Sequence, residues 1–198
     1  GLWKLSLSVL TMVSLISCGG SGDSGGGGNG TSSSSARIAA LKSSGARVAV
    51  HQNTGMVSFI GADPLAPIAL PSSPKGLIAD DAAMAAVQAY GALFGLNKPA
   101  NELRMLKRTV LENGRTMARY QQLHRNVPVI AGEIIANVNS SGNLLSLGGE
   151  TSPSLTLDVA PRITADQARD IAVGAIAKWY QEGPGSLTAT TPELSIYD

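Results

Sequence analysis

Apolar residues recur along the chain at two different periods, and each change of period marks an element. From Arg37 to Ile60 the pattern is short and strand-like: Arg47-Val48-Ala49-Val50-His51 and Met56-Val57-Ser58-Phe59-Ile60 flank Gln52-Asn53-Thr54-Gly55. Asn and Gly at that spacing favour a turn between paired strands, so a hairpin is predicted. Asp63 to Lys75 carries Pro64, Pro67, Pro71 and Pro74, which read as an extended surface connection because proline lacks the donor that a helix or central strand needs. The period then lengthens. Asp80 or Asp81 is expected to cap a helix running to about Phe94, with Ala83, Val87, Tyr90 and Phe94 on one stripe and Gly95 at its end.

Asn101 to Leu106 reads as a short helical turn, after which the strand period returns. Thr109 to Glu112 and Thr116 to His124 flank Asn113-Gly114; Ile130 to Asn139 and Asn143 to Leu147 flank Ser140-Ser141-Gly142. Ile134, Ala136 and Val138 share one face while Glu133, Asn137 and Asn139 take the other, as a half-buried antiparallel strand requires. The fold class read from this pattern is α+β, an antiparallel meander packed on the helix that ends at Phe94. Pro153 to Pro161 marks a boundary, and Thr164-Ala165-Asp166-Gln167 opens a second helix with a capping box. Ala168, Ile171, Ala172, Ala175, Ile176 and Trp179 form its expected apolar face, with Trp179 in the core, and Gly183-Pro184-Gly185 ends it. Glu193 to Tyr197 alternates like a first strand. One helix and one strand cannot bury a core, so this second domain is expected to be truncated.

The amino terminus changes the domain picture. Leu5 to Ile16 is an apolar run too short to span ~30 Å of hydrocarbon as a permanent helix, but it fits the core of a signal peptide. Leu15-Ile16-Ser17-Cys18 places a small residue before the only cysteine, as in the lipobox of bacterial lipoproteins, and makes Cys18 the candidate lipidation site. Gly19 to Ser35 is almost wholly Gly and Ser, which predicts a flexible tether. The expected division is a signal peptide over 1–17, a tether over 18–35, a first domain over 36–152 and the start of a second over 161–198.

A net charge of +1 with 15% charged residues offers no basis for a nucleic-acid partner. The two histidines, His51 and His124, stand in no H-E-x-x-H, no G-x-S-x-G elbow occurs, and the glycine run lacks the Lys-Ser/Thr pair of a phosphate loop. Asp80 and Asp81 are explained by capping, and Glu133 and Glu150 sit near strand ends with nothing to pair them. Arg119-Tyr120-Gln121-Gln122 reads as a polar sheet edge whose glutamines bond neighbouring loops, in preference to a binding surface. No catalytic, cofactor or metal site is therefore expected in this chain.

Arg119-Tyr120-Gln121-Gln122, then Asn126-Val127-Pro128-Val129-Ile130-Ala131-Gly132-Glu133, the Ser141-Gly142-Asn143 turn and Leu145-Ser146-Leu147-Gly148-Gly149 together resemble the amino-terminal pro-region of thermolysin-like and fungalysin-like zinc metalloproteases. The matching positions are Arg119, Tyr120, Gln122, Val127, Pro128, Val129, Gly132, Glu133 and Gly142, expected to act mainly through structure. Tyr90 to Leu96 resembles the helix end that precedes the first strand of this pro-domain, and Ile163 to Ala168 the opening of a PepSY domain. Asn126 replaces the glycine usual before Val-Pro-Val, and Asn139-Ser140-Ser141-Gly142 replaces an acidic turn. The resemblance implies a pro-region that templates the folding of a protease domain expected after Asp198 and occludes its cleft in cis. Zinc, and calcium beside it, are implied for that domain and not for this chain. It further implies an exported envelope lipoprotein held to the membrane through Cys18, from which the protease is released. The alternative is a free-standing envelope lipoprotein that binds or inhibits a protease.

Overall fold

The computed structural model describes residues 28–63, 65–70 and 79–198, so the expected signal peptide, Cys18 and the first part of the tether lie outside the described residues. The chain divides into two compact units, whose described parts are residues 28–156 and 157–198.

The first unit is α+β. The predicted hairpin forms as β1 (Arg47–Val50) and β2 (Val57–Gly61), paired antiparallel, with Gly55 at positive φ in the connection. Helix α2 (Ala79–Tyr90) runs into a 3-10 turn (Gly91–Phe94) that stops at Gly95 in the left-handed region, where Leu96 N donates back to Gly91 O. Four further strands follow: β3 (Leu103–Val110), β4 (Thr116–His124), β5 (Val127–Val138) and β6 (Leu144–Glu150). They complete a six-stranded sheet in the order β1-β2-β6-β5-β4-β3, antiparallel throughout. Ala82, Ala83, Ala86 and Val87 of α2 are buried against Ile60, Tyr120, Ile134, Ala136, Val138, Leu144 and Leu147 of the sheet. Alanines on the helix let the layers approach, and the sheet supplies the volume. Each fully buried large side chain contributes on the order of 1.5–3 kcal/mol.

Several elements differ from the sequence reading. A helix, α1 (Gly28–Ser43), occupies the last part of the expected tether and the start of the region expected to be strand-like. Its second half carries the packing: Leu41 is buried and Ile38 lies against the core. Its end is a Schellman motif, with Gly45 at positive φ, Ala46 N donating to Leu41 O and both of those side chains buried together. Helix α2 already includes Ala79, so Asp80 and Asp81 lie inside the helix rather than at its cap. The short turn is α3 (Pro99–Glu102), started by proline and tied by the Glu102 carboxylate, which accepts from Asn97 N and Lys98 N. From Leu103 onward the chain is already strand, because β4 offers pairing partners as far as Gln122.

The second unit contains α4 (Ala165–Tyr180) and a 3-10 turn (Pro184–Ser186). The capping box forms as predicted: Gln167 N donates to Thr164 Oγ1 at 3.2 Å and Thr164 N to Gln167 Oε1 at 2.9 Å. Of the expected strand Glu193 to Tyr197 only Ile196 takes part in a β-bridge, and no PepSY module is discernible among the described residues. The expected apolar face also fails: Ala168 is buried, but Ile171 is 62% exposed and Trp179 82%, so Trp179 is not a core residue. A helical stripe is buried only where another layer lies against it, and the described part of this unit supplies no sheet.

Candidate functional site

The distinctive geometry of the first unit lies where β4 turns into β5. Arg125 and Asn126 both take positive φ, as a two-residue hairpin turn of the twisted kind requires, and asparagine tolerates that conformation. The ladder resumes with His124 opposite Val127 and Leu123 opposite Pro128, then jumps to Gln121 opposite Glu133. Val129 to Gly132 therefore bulges out opposite Gln122, with Ala131 at positive φ. The Gln121 side chain fills the gap, its Nε2 donating to Val129 O at 2.6 Å and to Gly132 O at 2.8 Å. These bonds replace ladder bonds that the bulge breaks.

Gln122 works on the other face. It is 3% exposed; its Nε2 donates to Ser152 O and its Oε1 accepts from Ser152 N, both at 2.8 Å. Gly132 lies against it, and a Cβ there would stand 2.8 Å from Gln122 Oε1. Next to Ser152, Thr151 Oγ1 donates to Phe94 O, and Pro153 packs so closely on Gly95 that a Cβ at that glycine would be 2.7 Å from Pro153 Cβ. The β4–β5 bulge, the end of the α2 turn and the segment leaving β6 are thus joined at one corner by two amide bonds and a hydroxyl.

Of the residues singled out from sequence, Arg119, Tyr120, Gln122, Val127, Pro128, Val129, Gly132 and Glu133 come together on this hairpin. Tyr120 and Val129 are fully buried. Gly142 stands apart, at positive φ in the turn where Asn139 Oδ1 accepts from Ser141 N and Asn143 N. Two expectations need correction. Arg119 to Gln122 is not on a sheet edge, since β4 lies between β3 and β5. Glu133 is not without a partner: Arg119 Nε donates to Glu133 Oε2 at 2.6 Å, with Nη2 of the same guanidinium on the same oxygen. This pair is partly exposed and contributes at most about 1 kcal/mol. The reversal has a simple cause, because residues two apart on paired strands face the same side and long side chains reach diagonally.

Sequence reasoning missed Ser152, and it missed Phe59, whose ring lies on the sheet face away from α2 across Gly61 and Gly148. His51 follows β1 and His124 ends β4, on separate hairpins. Among the described residues no group of three or more His, Cys, Asp or Glu side chains could hold a metal ion. A shallow groove between α1 and α2 is lined by Leu41, Ile68, Ala85 and Tyr90, with Arg37 over the Tyr90 ring at 5.9 Å and its guanidinium donating to Ala89 O. Burial raises the Tyr90 hydroxyl above the ordinary tyrosine range, with the Arg37 charge partly opposing it. The groove pairs no nucleophile with a base.

Residues 101–151 match the fungalysin/thermolysin propeptide motif. The matched span runs from the end of α3 through all of β3, β4, β5 and β6 to Thr151, so it contains the bulge and one side of the corner that Gln122 closes. A propeptide domain is present over that part of the chain, and it is a non-catalytic regulatory module. No curated protein matches the chain.

Proposed function

We propose that this chain is the pro-region of an exported thermolysin-like zinc metalloendopeptidase, serving as a template for the folding of the protease domain and as its inhibitor until cleavage. The observation that carries this reading is the propeptide motif over residues 101–151, present with its hairpin, bulge and amide bonds in place. Inhibition of this kind needs a broad complementary surface and not a reactive group, which agrees with a first unit rich in ordered sheet. Zinc belongs to the protease domain. The coding sequence beyond the Asp198 codon gives the first test: an in-frame H-E-x-x-H is expected. The chain added in excess should then give slow-onset inhibition of the protease so encoded and raise its refolding yield. A stop codon soon after Asp198, or a refolding yield unchanged by the chain, overturns the reading.

The lipobox supports membrane tethering through Cys18 as part of the same proposal. Metabolic labelling with palmitate should mark the wild-type chain in a bacterial host, and Cys18→Ser should lose all label and leave the membrane fraction. Equal labelling of the two chains rules the anchor out.

A further inference from the structure

We propose that Asn113 is a site of spontaneous covalent modification, at which the side-chain amide is lost to attack by the backbone nitrogen of Gly114 and the β3–β4 turn is left carrying aspartate or isoaspartate. Asn113-Gly114 lies in the connection from β3 to β4. The pair serves the turn, and it is also the dipeptide in which a backbone nitrogen meets least hindrance in reaching the side-chain carbonyl carbon, since glycine has no Cβ. The other asparagines whose side chains are described all precede residues that carry a Cβ.

The turn brings the reacting groups together. Asn113 is exposed, and Gly114 stands at positive φ with no Cβ to shield its nitrogen. Arg115 N donates to Asn113 Oδ1 at 3.1 Å, which folds the side chain back over the Asn113–Gly114 peptide. The same bond draws electron density from Cγ and supports Oδ1 as it takes up negative charge. One contact opposes the reaction: Gly114 N donates to Leu111 O at 2.9 Å and must let go before it can attack. Leu111, Glu112 and Asn113 are all exposed, so water can follow the opening and take over the carbonyl.

The chemistry balances with water alone. Gly114 N gives its proton to the solvent and bonds to Asn113 Cγ; the Cγ–Nδ2 bond breaks, and Nδ2 leaves as ammonia with a proton from water. Water then adds to one of the two carbonyl carbons of the resulting five-membered imide and breaks its bond to nitrogen. Addition at Cγ gives aspartate. Addition at the backbone carbonyl carbon of Asn113 gives isoaspartate, with the main chain rerouted through Cβ and Cγ. In the imide Gly114 N has no hydrogen left for Leu111 O, and in isoaspartate the turn carries an extra backbone atom. Gly114 is also packed on the β5–β6 turn, since a Cβ there would stand 2.9 Å from Ser140 Cβ. Rerouting the chain at Gly114 therefore disturbs both turns. The inference stands independently of the pro-region reading because it needs only this hairpin.

The test incubates the full chain at mildly alkaline pH beside a free peptide spanning residues 109–117. Peptide mapping by mass spectrometry should show acid replacing amide at Asn113, and an isoaspartyl methyltransferase should label the same peptide. Conversion in the folded chain should run at no less than about a tenth of the free-peptide rate, and Gly114→Ala should convert at least about tenfold more slowly than wild type. The methyl hinders attack whether or not the variant folds, so that comparison stays decisive. A folded-chain rate below that bound would mean that the Gly114 N bond to Leu111 O guards the turn, and overturns the proposal. So does acid formed without isoaspartate, or an equal rate in Gly114→Ala.

Discussion

A Gly149→Ala chain is expected to lose ~3 kcal/mol or more of stability, the combined cost of backbone strain and broken ladder bonds. Gly149 lies in β6 opposite Ile134 at φ +148, a conformation that side chains rarely adopt. A Cβ there would be driven into the Glu133 carbonyl oxygen and would stand 2.9 Å from the carbonyl carbon and 3.0 Å from Ile134 Cα. Those atoms are backbone at the centre of the sheet, so no side chain can swing aside. Either β6 slides, which removes Leu147 and Leu144 from the core, or the β5–β6 ladder opens. Gly148 is the internal control. Its added Cβ would meet the Phe59 ring at 3.1 Å, and that ring sits on the open face and can move. Urea denaturation followed by circular dichroism should therefore give a large drop in midpoint for Gly149→Ala and a small one for Gly148→Ala. Equal, small losses would show that the β5–β6 contact relaxes easily.

The parts of the fold legible in the sequence are those where one physical signal acts alone. Asn and Gly between two apolar runs marked the β1–β2 hairpin, and Thr164 with Gln167 marked the start of α4, because turn and cap chemistry are local. Ile134, Ala136 and Val138 marked β5 because one face of that strand is buried and the other is not. Helix α1 was missed for the opposite reason. Its first half is Gly and Ser, poor helix formers, and only Ile38, Leu41 and the Ser44-Gly45 ending carry the signal. The sequence pattern places strand β3 six residues too late at its start and two residues too far at its end, since an edge strand exposed on both faces shows no alternation. Trp179 was assigned to a core from its stripe alone, and a stripe says nothing of what lies opposite.

The same division holds at the β4–β5 corner. Its residue types could be read, and their resemblance to a propeptide series pointed to the span that the motif covers. What each side chain does could not be read, because the bulge decides it. Gln121 and Gln122 are adjacent and chemically identical, yet successive strand residues face opposite sides. One is spent on the bulge carbonyls and the other on Ser152, thirty residues away. Arg119 and Glu133 meet only because the register jumps between Leu123 and Gln121, bringing Glu133 opposite Gln121. No spacing in the sequence announces a four-residue bulge opposite a single glutamine.

Replacing Gln122 by alanine is expected to cost ~2–4 kcal/mol, from two lost hydrogen bonds to partly buried backbone groups and the cavity left behind. Both amide atoms of Gln122 are used, and both bonds end on one residue, so Ser152 N and Ser152 O lose their partner together. Gly132, held without a Cβ by this side chain, would face empty space. Gln122→Glu separates the contributions: a carboxylate still accepts from Ser152 N but sets a second acceptor against Ser152 O, so it should fall between wild type and alanine only if protonated, and below alanine as pH rises. Gln121→Ala is the comparison, with a smaller loss, because the Gln121 side chain is itself only half-buried and water can follow its truncation to the bulge carbonyls. The effect should also be local. Ser152 lies between Thr151, bonded to Phe94, and Pro153, packed on Gly95, so freeing it loosens the whole segment that leaves β6. Limited proteolysis of Gln122→Ala should cut between residues 150 and 157 well before the sheet unfolds. Wild-type resistance at that segment in the variant would mean that Thr151 and Pro153 hold it without the glutamine.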